Sequence, residues 1–102
     1  MANLHEMTAT ELGRVLAEKK ASSVEITEAF LKRIEAVEEK VHSYVTVTPE
    51  LALDMAREAD HRLARGEGGA LTGIPIAVKD NMCIKGQRTT CGSKILHNFV
   101  PP

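Results

Sequence analysis

At 102 residues the chain is one domain at most, or part of one. Its apolar content of 43% is enough for a core, but aromatics are only 3%, so that core must be aliphatic. The net charge of -1 argues against a general nucleic-acid binder. No apolar run is long enough to span a bilayer, and the N-terminus Met1-Ala2-Asn3-Leu4-His5-Glu6 lacks the basic and apolar regions of a signal peptide, so a cytoplasmic protein is expected.

Charge is not spread evenly. Residues 1–60 hold 7 Lys and Arg against 12 Asp and Glu; residues 61–102 hold 6 against 2. The six cations are too scattered to form a phosphate-tracking stripe.

The first helix signal is Thr8-Ala9-Thr10-Glu11, a capping box in which Glu11 reaches back to Thr8. Leu12, Val15 and Leu16 follow at helical spacing. Ser22-Ser23-Val24-Glu25 repeats the signal. Thr27, Phe30, Leu31, Ile34 and Val37 then give an amphipathic stripe that predicts a helix to about residue 40.

Tyr44-Val45-Thr46-Val47 is rich in strand formers and predicts a short strand over 44–47. Thr48 is the expected cap of the next helix, with Pro49 in the first turn, where its missing N–H costs nothing. Ala52, Met55, Ala56, Ala59 and Leu63 share a face, and the alanines suggest close packing against something flat, such as a sheet. Met55 is expected as core filler. Gly66 is the expected end.

After Gly66, Gly68 and Gly69 comes the most strand-like run of the chain, Gly73-Ile74-Pro75-Ile76-Ala77-Val78, which ends in Lys79. Alternation puts Ile74, Ile76 and Val78 on one face and Pro75, Ala77 and Lys79 on the other. The order strand, helix, strand predicts a βαβ-like unit over 44–78. Beyond Asp80-Asn81, Met82–Ile84 and Arg88–Thr90 read as short strand pieces, Gly92–Leu96 as one helical turn, and Val100–Pro102 as extended chain.

Lys79 has two readings. A lysine leaving a buried strand can simply carry its amine to solvent. It can also hold that amine in a drier pocket with a depressed pKa, where it acts as a base. Spacing does not separate the two. Other chemistry is thinly represented. Cys83 and Cys91 read as free thiols. With His97 they make at most three metal ligands at an unfamiliar spacing, and no zinc site is expected. Gly66-Glu67-Gly68-Gly69 lacks the Lys-Ser/Thr of a phosphate loop, so no cofactor-binding residue is expected.

The run Gly73-Ile74-Pro75-Ile76-Ala77-Val78-Lys79-Asp80-Asn81 resembles the strand that carries the catalytic lysine in the amidase signature family. Lys85-Gly86-Gln87-Arg88-Thr89-Thr90-Cys91-Gly92-Ser93-Lys94-Ile95-Leu96, with Asn98-Phe99-Val100-Pro101-Pro102, looks more narrowly like the branch made of A subunits of tRNA-dependent amidotransferases. Ser22–Thr27 and the helix after it fit the same branch, so the resemblance covers essentially the whole chain.

It implies an α/β fold: N-terminal helices over 1–40, a βαβ-like unit over 44–78, and loops and short elements over 79–102. These would form the N-terminal part of a single amidase domain, an incomplete one whose mixed, helix-covered sheet continues in a larger protein. It also implies that Lys79 is a general base acting through a bridging serine on a nucleophilic serine. Neither serine matches a position here, so the 102 residues alone are expected to be inactive. The implied activity of the whole subunit is hydrolysis of glutamine to ammonia. A partner B subunit, using ATP and Mg2+, would spend the ammonia in converting Glu-tRNA(Gln) to Gln-tRNA(Gln), and a small C subunit would complete a heterotrimer. Two other functions fit the chain less closely: a family hydrolase of small amides acting alone, and a non-catalytic helical interaction module.

Overall fold

The computed structural model describes residues 3–102. Three α-helices carry the architecture: α1 (Ala9–Ala17), α2 (Ser23–Val41) and α3 (Pro49–Ala64). Single 3-10 turns lie at Leu4–Glu6 and Lys94–Leu96. Residues 65–93 and 97–102 follow turns and extended paths.

The helix starts are written in the local sequence. At α1, Thr8 Oγ1 accepts the Glu11 N–H at 3.2 Å and Glu11 Oε2 accepts the Thr8 N–H at 3.3 Å. At α2, Ser22 Oγ accepts the Glu25 N–H at 3.1 Å and Glu25 Oε1 accepts the Ser22 N–H at 3.2 Å. Both capping boxes thus form as expected. Thr48 differs: Pro49 does open α3, but the Thr48 side chain makes no capping bond. Its backbone (φ -120°, ψ 69°) is off the extended geometry of the other two caps, and only its carbonyl takes part, accepting the Ala52 N–H at 3.0 Å.

Two helices end in the same way. After α3, Gly66 at φ 73° sends its N–H to the Leu63 carbonyl, and Glu67 sends its own to Arg62. After α1, Lys19 at φ 57° does so to Leu16 and Lys20 to Val15. These are Schellman closures. The first has the expected glycine; the second puts a lysine in the left-handed position.

The core is small and aliphatic. Leu12, Val15 and Leu16 of α1 pack with Ala21 and with Ile26 of α2, and Leu4, Met7, Phe30, Leu63 and Ile74 close around them. Ile26 is fully buried, a placement worth about 1.5–3 kcal/mol. It belongs to the buried face of α2 with Thr27 and Phe30. The alanine face of α3 meets α2 rather than a sheet, with Ala56 buried at the contact. Met55 lies outside that contact, 64% exposed, and is not core filler.

No strand forms among the described residues. Residues 44–47 are irregular, so the expected βαβ-like unit over 44–78 is absent. Residues 74–79 belong to no regular element and are unpaired. Only Ile74 reaches the core; Ile76 is 79% exposed and Val78 is exposed as well. Met82–Ile84 and Arg88–Thr90 are likewise not strands. The reason is that a strand is a pairing. Alternating side chains supply one apolar face, but the ladder needs a neighbour to receive its N–H and C=O groups. Among the described residues none runs beside 75–79.

Candidate functional site

The approach to Lys79 begins at a crowded turn. The Ile74 N–H closes on the Leu71 carbonyl at 3.1 Å, with Gly73 at φ 90° in the third place, where such a turn favours glycine. Ser23, almost completely buried, donates its hydroxyl to the Gly73 carbonyl at 2.9 Å. A Cβ on Gly73 would sit 3.0 Å from Leu16 Cδ1 and 3.4 Å from Leu63 Cδ1. The turn is therefore seated where all three helices meet; Ile74 packs on their core, and 76–79 are exposed beyond it.

Lys79 itself is exposed. It borders neither of the two hollows between α2 and α3. Its carbonyl accepts the Met82 N–H at 3.0 Å, which turns the chain. Asp80 then anchors that turn. Its Oδ1 accepts the Thr90 N–H at 3.0 Å, its Oδ2 accepts the Thr90 hydroxyl, and its own carbonyl accepts the Cys91 N–H at 2.9 Å. Thr90 Oγ1 also accepts the Gly92 N–H at 3.2 Å. The Thr90 hydroxyl, then the Thr90 N–H, hold the Asp80 carboxyl below its ordinary range. Desolvation pulls the other way, and the Gly92 N–H and the Arg88 guanidinium add smaller lowering effects.

Arg88 extends the support. Its Nη2 donates to the Val45 carbonyl at 3.2 Å and to Thr46 Oγ1 at 3.1 Å, and its Nη1 donates to the His97 carbonyl at 3.1 Å. One guanidinium thus joins the loop between α2 and α3 to the C-terminal turns. The Thr89 N–H meets the Phe99 carbonyl at 3.0 Å and the Gly86 N–H meets that of Pro101 at 3.2 Å.

The remaining candidates separate. Cys83 and Cys91 are free and exposed, and no metal-holding group of three His, Cys, Asp or Glu occurs among the described residues. Three serines have structural work: Ser22 caps α2, Ser23 holds Gly73, and Ser93 Oγ accepts the Ile95 N–H at 3.2 Å. The sequence reading marked Lys79 but not Asp80, Thr90 or Arg88 as its supports. The one local signal was Asp80 directly after an extended run; its partner ten residues on carries none.

The family model described as Amidase matches residues 25–102, which takes in Lys79 and its whole support. The chain belongs to the amidase family. This amidase chain is 57% identical to the A subunit of the glutamyl-tRNA(Gln) amidotransferase of Thioalkalivibrio sulfidiphilus, over 97% of its own length and 20% of that protein. It is 55% identical to the corresponding protein of Desulforamulus reducens, over 98% of its length and 21% of the relative. With that of Geobacter metallireducens the identity is 58%, again over 97% and 20%. The amidase chain therefore spans about a fifth of the length of the curated relatives it matches. No helix among the described residues is long and apolar enough to cross a membrane.

Proposed function

We propose that this chain is the N-terminal portion of the glutaminase subunit of a tRNA-dependent amidotransferase, with Lys79 as its general base. The observation that carries the reading is identity above 50% to the A subunits of such enzymes over nearly the whole chain. In that role the complete protein adopts the α/β amidase fold, and the run 74–78 becomes a strand once a neighbour receives its backbone groups.

The chemistry assigned to Lys79 is proton removal. A neutral amine takes a proton, through a bridging serine, from the serine that attacks the glutamine amide. None of Ser22, Ser23, Ser43 and Ser93 matches either serine of the family pattern, and the chain spans about a fifth of its relatives, which supports placing the two serines in the rest of the protein. Ammonia passes to a B subunit, which uses ATP and Mg2+ to activate Glu-tRNA(Gln) and form Gln-tRNA(Gln). A C subunit completes a cytoplasmic heterotrimer. The tRNA is met through the complex rather than through this acidic helical segment.

The test is ammonia release from glutamine by the full-length subunit in its complex, before and after Lys79→Ala. Loss of release with an unchanged unfolding transition is expected. Retained release sinks the assignment of Lys79, and preference for small acyl amides over glutamine would reassign the chain to a stand-alone family hydrolase.

A further inference from the structure

We propose that Thr90 is a positioning residue for Lys79, acting through the carboxylate of Asp80. The proposal rests on the reading of Lys79 as the base, and it assigns to that site a support ten residues away.

The argument starts from what fixes the lysine. Among the described residues the run 75–78 has no ladder, so the bonds that this part of the protein itself places next to the lysine all lie on the departure side. The Lys79 carbonyl is held by the Met82 N–H, and the next residue is gripped three times: Asp80 Oδ1 by the Thr90 N–H, Asp80 Oδ2 by the Thr90 hydroxyl, and the Asp80 carbonyl by the Cys91 N–H. Bonds to an ionised carboxylate are stronger and more directional than neutral ones.

The other end of the clamp is itself fixed. Thr90 and Thr89 are both 3% exposed. Cys91 at φ 53° and Gly92 at φ 71° bend the chain back, so that the Cys91 N–H meets Asp80 and the Gly92 N–H meets Thr90 Oγ1. Arg88, two residues before Thr90, ties the same segment to Val45 and Thr46 beside the helices. The clamp thus links the backbone at Lys79 to the helical body without touching the amine.

The experiment uses the full-length subunit in its complex and measures kcat and KM for glutamine. Thr90→Val keeps the shape and the N–H but removes the hydroxyl, and with it the bonds to Asp80 and Gly92. It is expected to lower kcat by roughly 10- to 100-fold, the cost of a small misplacement of a reacting group, and to leave KM within about twofold, since ground-state binding is untouched. Thr90→Ser restores the hydroxyl and is expected to recover kcat. Unchanged kcat in Thr90→Val, a fall carried by KM, or a Thr90→Ser variant as slow as Thr90→Val each overturns the proposal.

Should Thr90→Val not fold, the pair Asp80→Asn and Asp80→Ala decides. The amide can still accept the Thr90 N–H and meet its hydroxyl, so Asp80→Asn must be faster than Asp80→Ala by roughly tenfold or more; equal rates overturn the clamp. Failure of the underlying reading is seen elsewhere, as a wild-type complex without glutaminase activity or an active Lys79→Ala variant. Either overturns both ideas, whereas an active, Lys79-dependent enzyme indifferent to Thr90 overturns this one alone.

Discussion

Asp60, near the end of α3, accepts the backbone N–H of Ser23 at 2.7 Å with one carboxylate oxygen, while its other oxygen takes the Val24 N–H at 3.2 Å. With the Ser22 N–H received by Glu25 Oε1 and the Glu25 N–H by the Ser22 hydroxyl, all four free donors at the start of α2 are satisfied. The negative charge also faces the positive end of the helix dipole. One side chain thereby ties the end of α3 to the start of α2.

Replacing Asp60 tests this directly. Asp60→Ala leaves two donors unpaired at a half-buried site and is expected to cost about 2 kcal/mol, the range for hydrogen bonds to a charged group. Asp60→Asn keeps one acceptor and is expected to cost about half as much. Urea unfolding midpoints of the two variants give the comparison. A variant series in which Asn is as damaging as Ala would assign the effect to charge rather than to capping.

Gly73 carries two separate constraints, and Gly66 carries one of them alone. Both have positive φ, but a Cβ at Gly66 meets nothing within 4 Å while one at Gly73 would press on Leu16, Ser23 and Leu63. Gly66→Ala is therefore expected to cost about 1 kcal/mol, the left-handed penalty by itself. Gly73→Ala adds overpacking of a small core and is expected to cost about 2–4 kcal/mol in all. Thermal unfolding of the two variants separates the terms; equal losses would show that the side chains around Gly73 move aside freely.

The contrast between helices and strands shows where the sequence was readable. Thr8, Ser22, Pro49 and Gly66 mark helix ends through contacts no more than a few residues apart, and these marks held. Asp60 was unreadable because it caps a helix 37 residues earlier in the chain. The alternation in 74–78 did not become two faces, since Ile76 and Val78 are exposed while Ile74 reaches the core, and neither that pattern nor the strand formers of 44–47 supply a neighbour for the ladder. The same holds at the site. Lys79 stands out by its local run, whereas Asp80 and Thr90 meet only after the chain has turned twice, and Arg88 reaches the loop before α3 from more than forty positions away.

Lys19 offers a gain rather than a loss. It occupies the closing position of α1 at φ 57° and is exposed. A non-glycine residue there is strained by about 1–2 kcal/mol, and the flexibility of glycine in the unfolded chain takes back part of that. Lys19→Gly is expected to stabilise the protein by about 0.5–1 kcal/mol. A lower urea midpoint in this variant would mean that the Lys19 side chain contributes a contact larger than the backbone strain.

The Asp80 carboxylate predicts a particular acid sensitivity. In the folded chain the Thr90 hydroxyl and N–H hold its pKa below the ordinary value of 3.8; on unfolding it returns there. Between the two values the unfolded chain binds a proton that the folded chain does not, so acidification favours unfolding. The stabilisation is fully present above the ordinary value and is lost as pH falls through the folded one. Asp80→Asn carries no such proton. The stability gap between wild type and Asp80→Asn should therefore hold steady from about pH 7 down to about pH 5 and narrow below about pH 4. Thr90→Val removes the largest cause of the lowered pKa, so in that background the Asp80→Asn gap should be smaller at every pH and narrow less. Denaturant midpoints across the pH series read both effects, and a gap that widens on acidification would falsify the assignment of the lowered pKa to the bonds with Thr90.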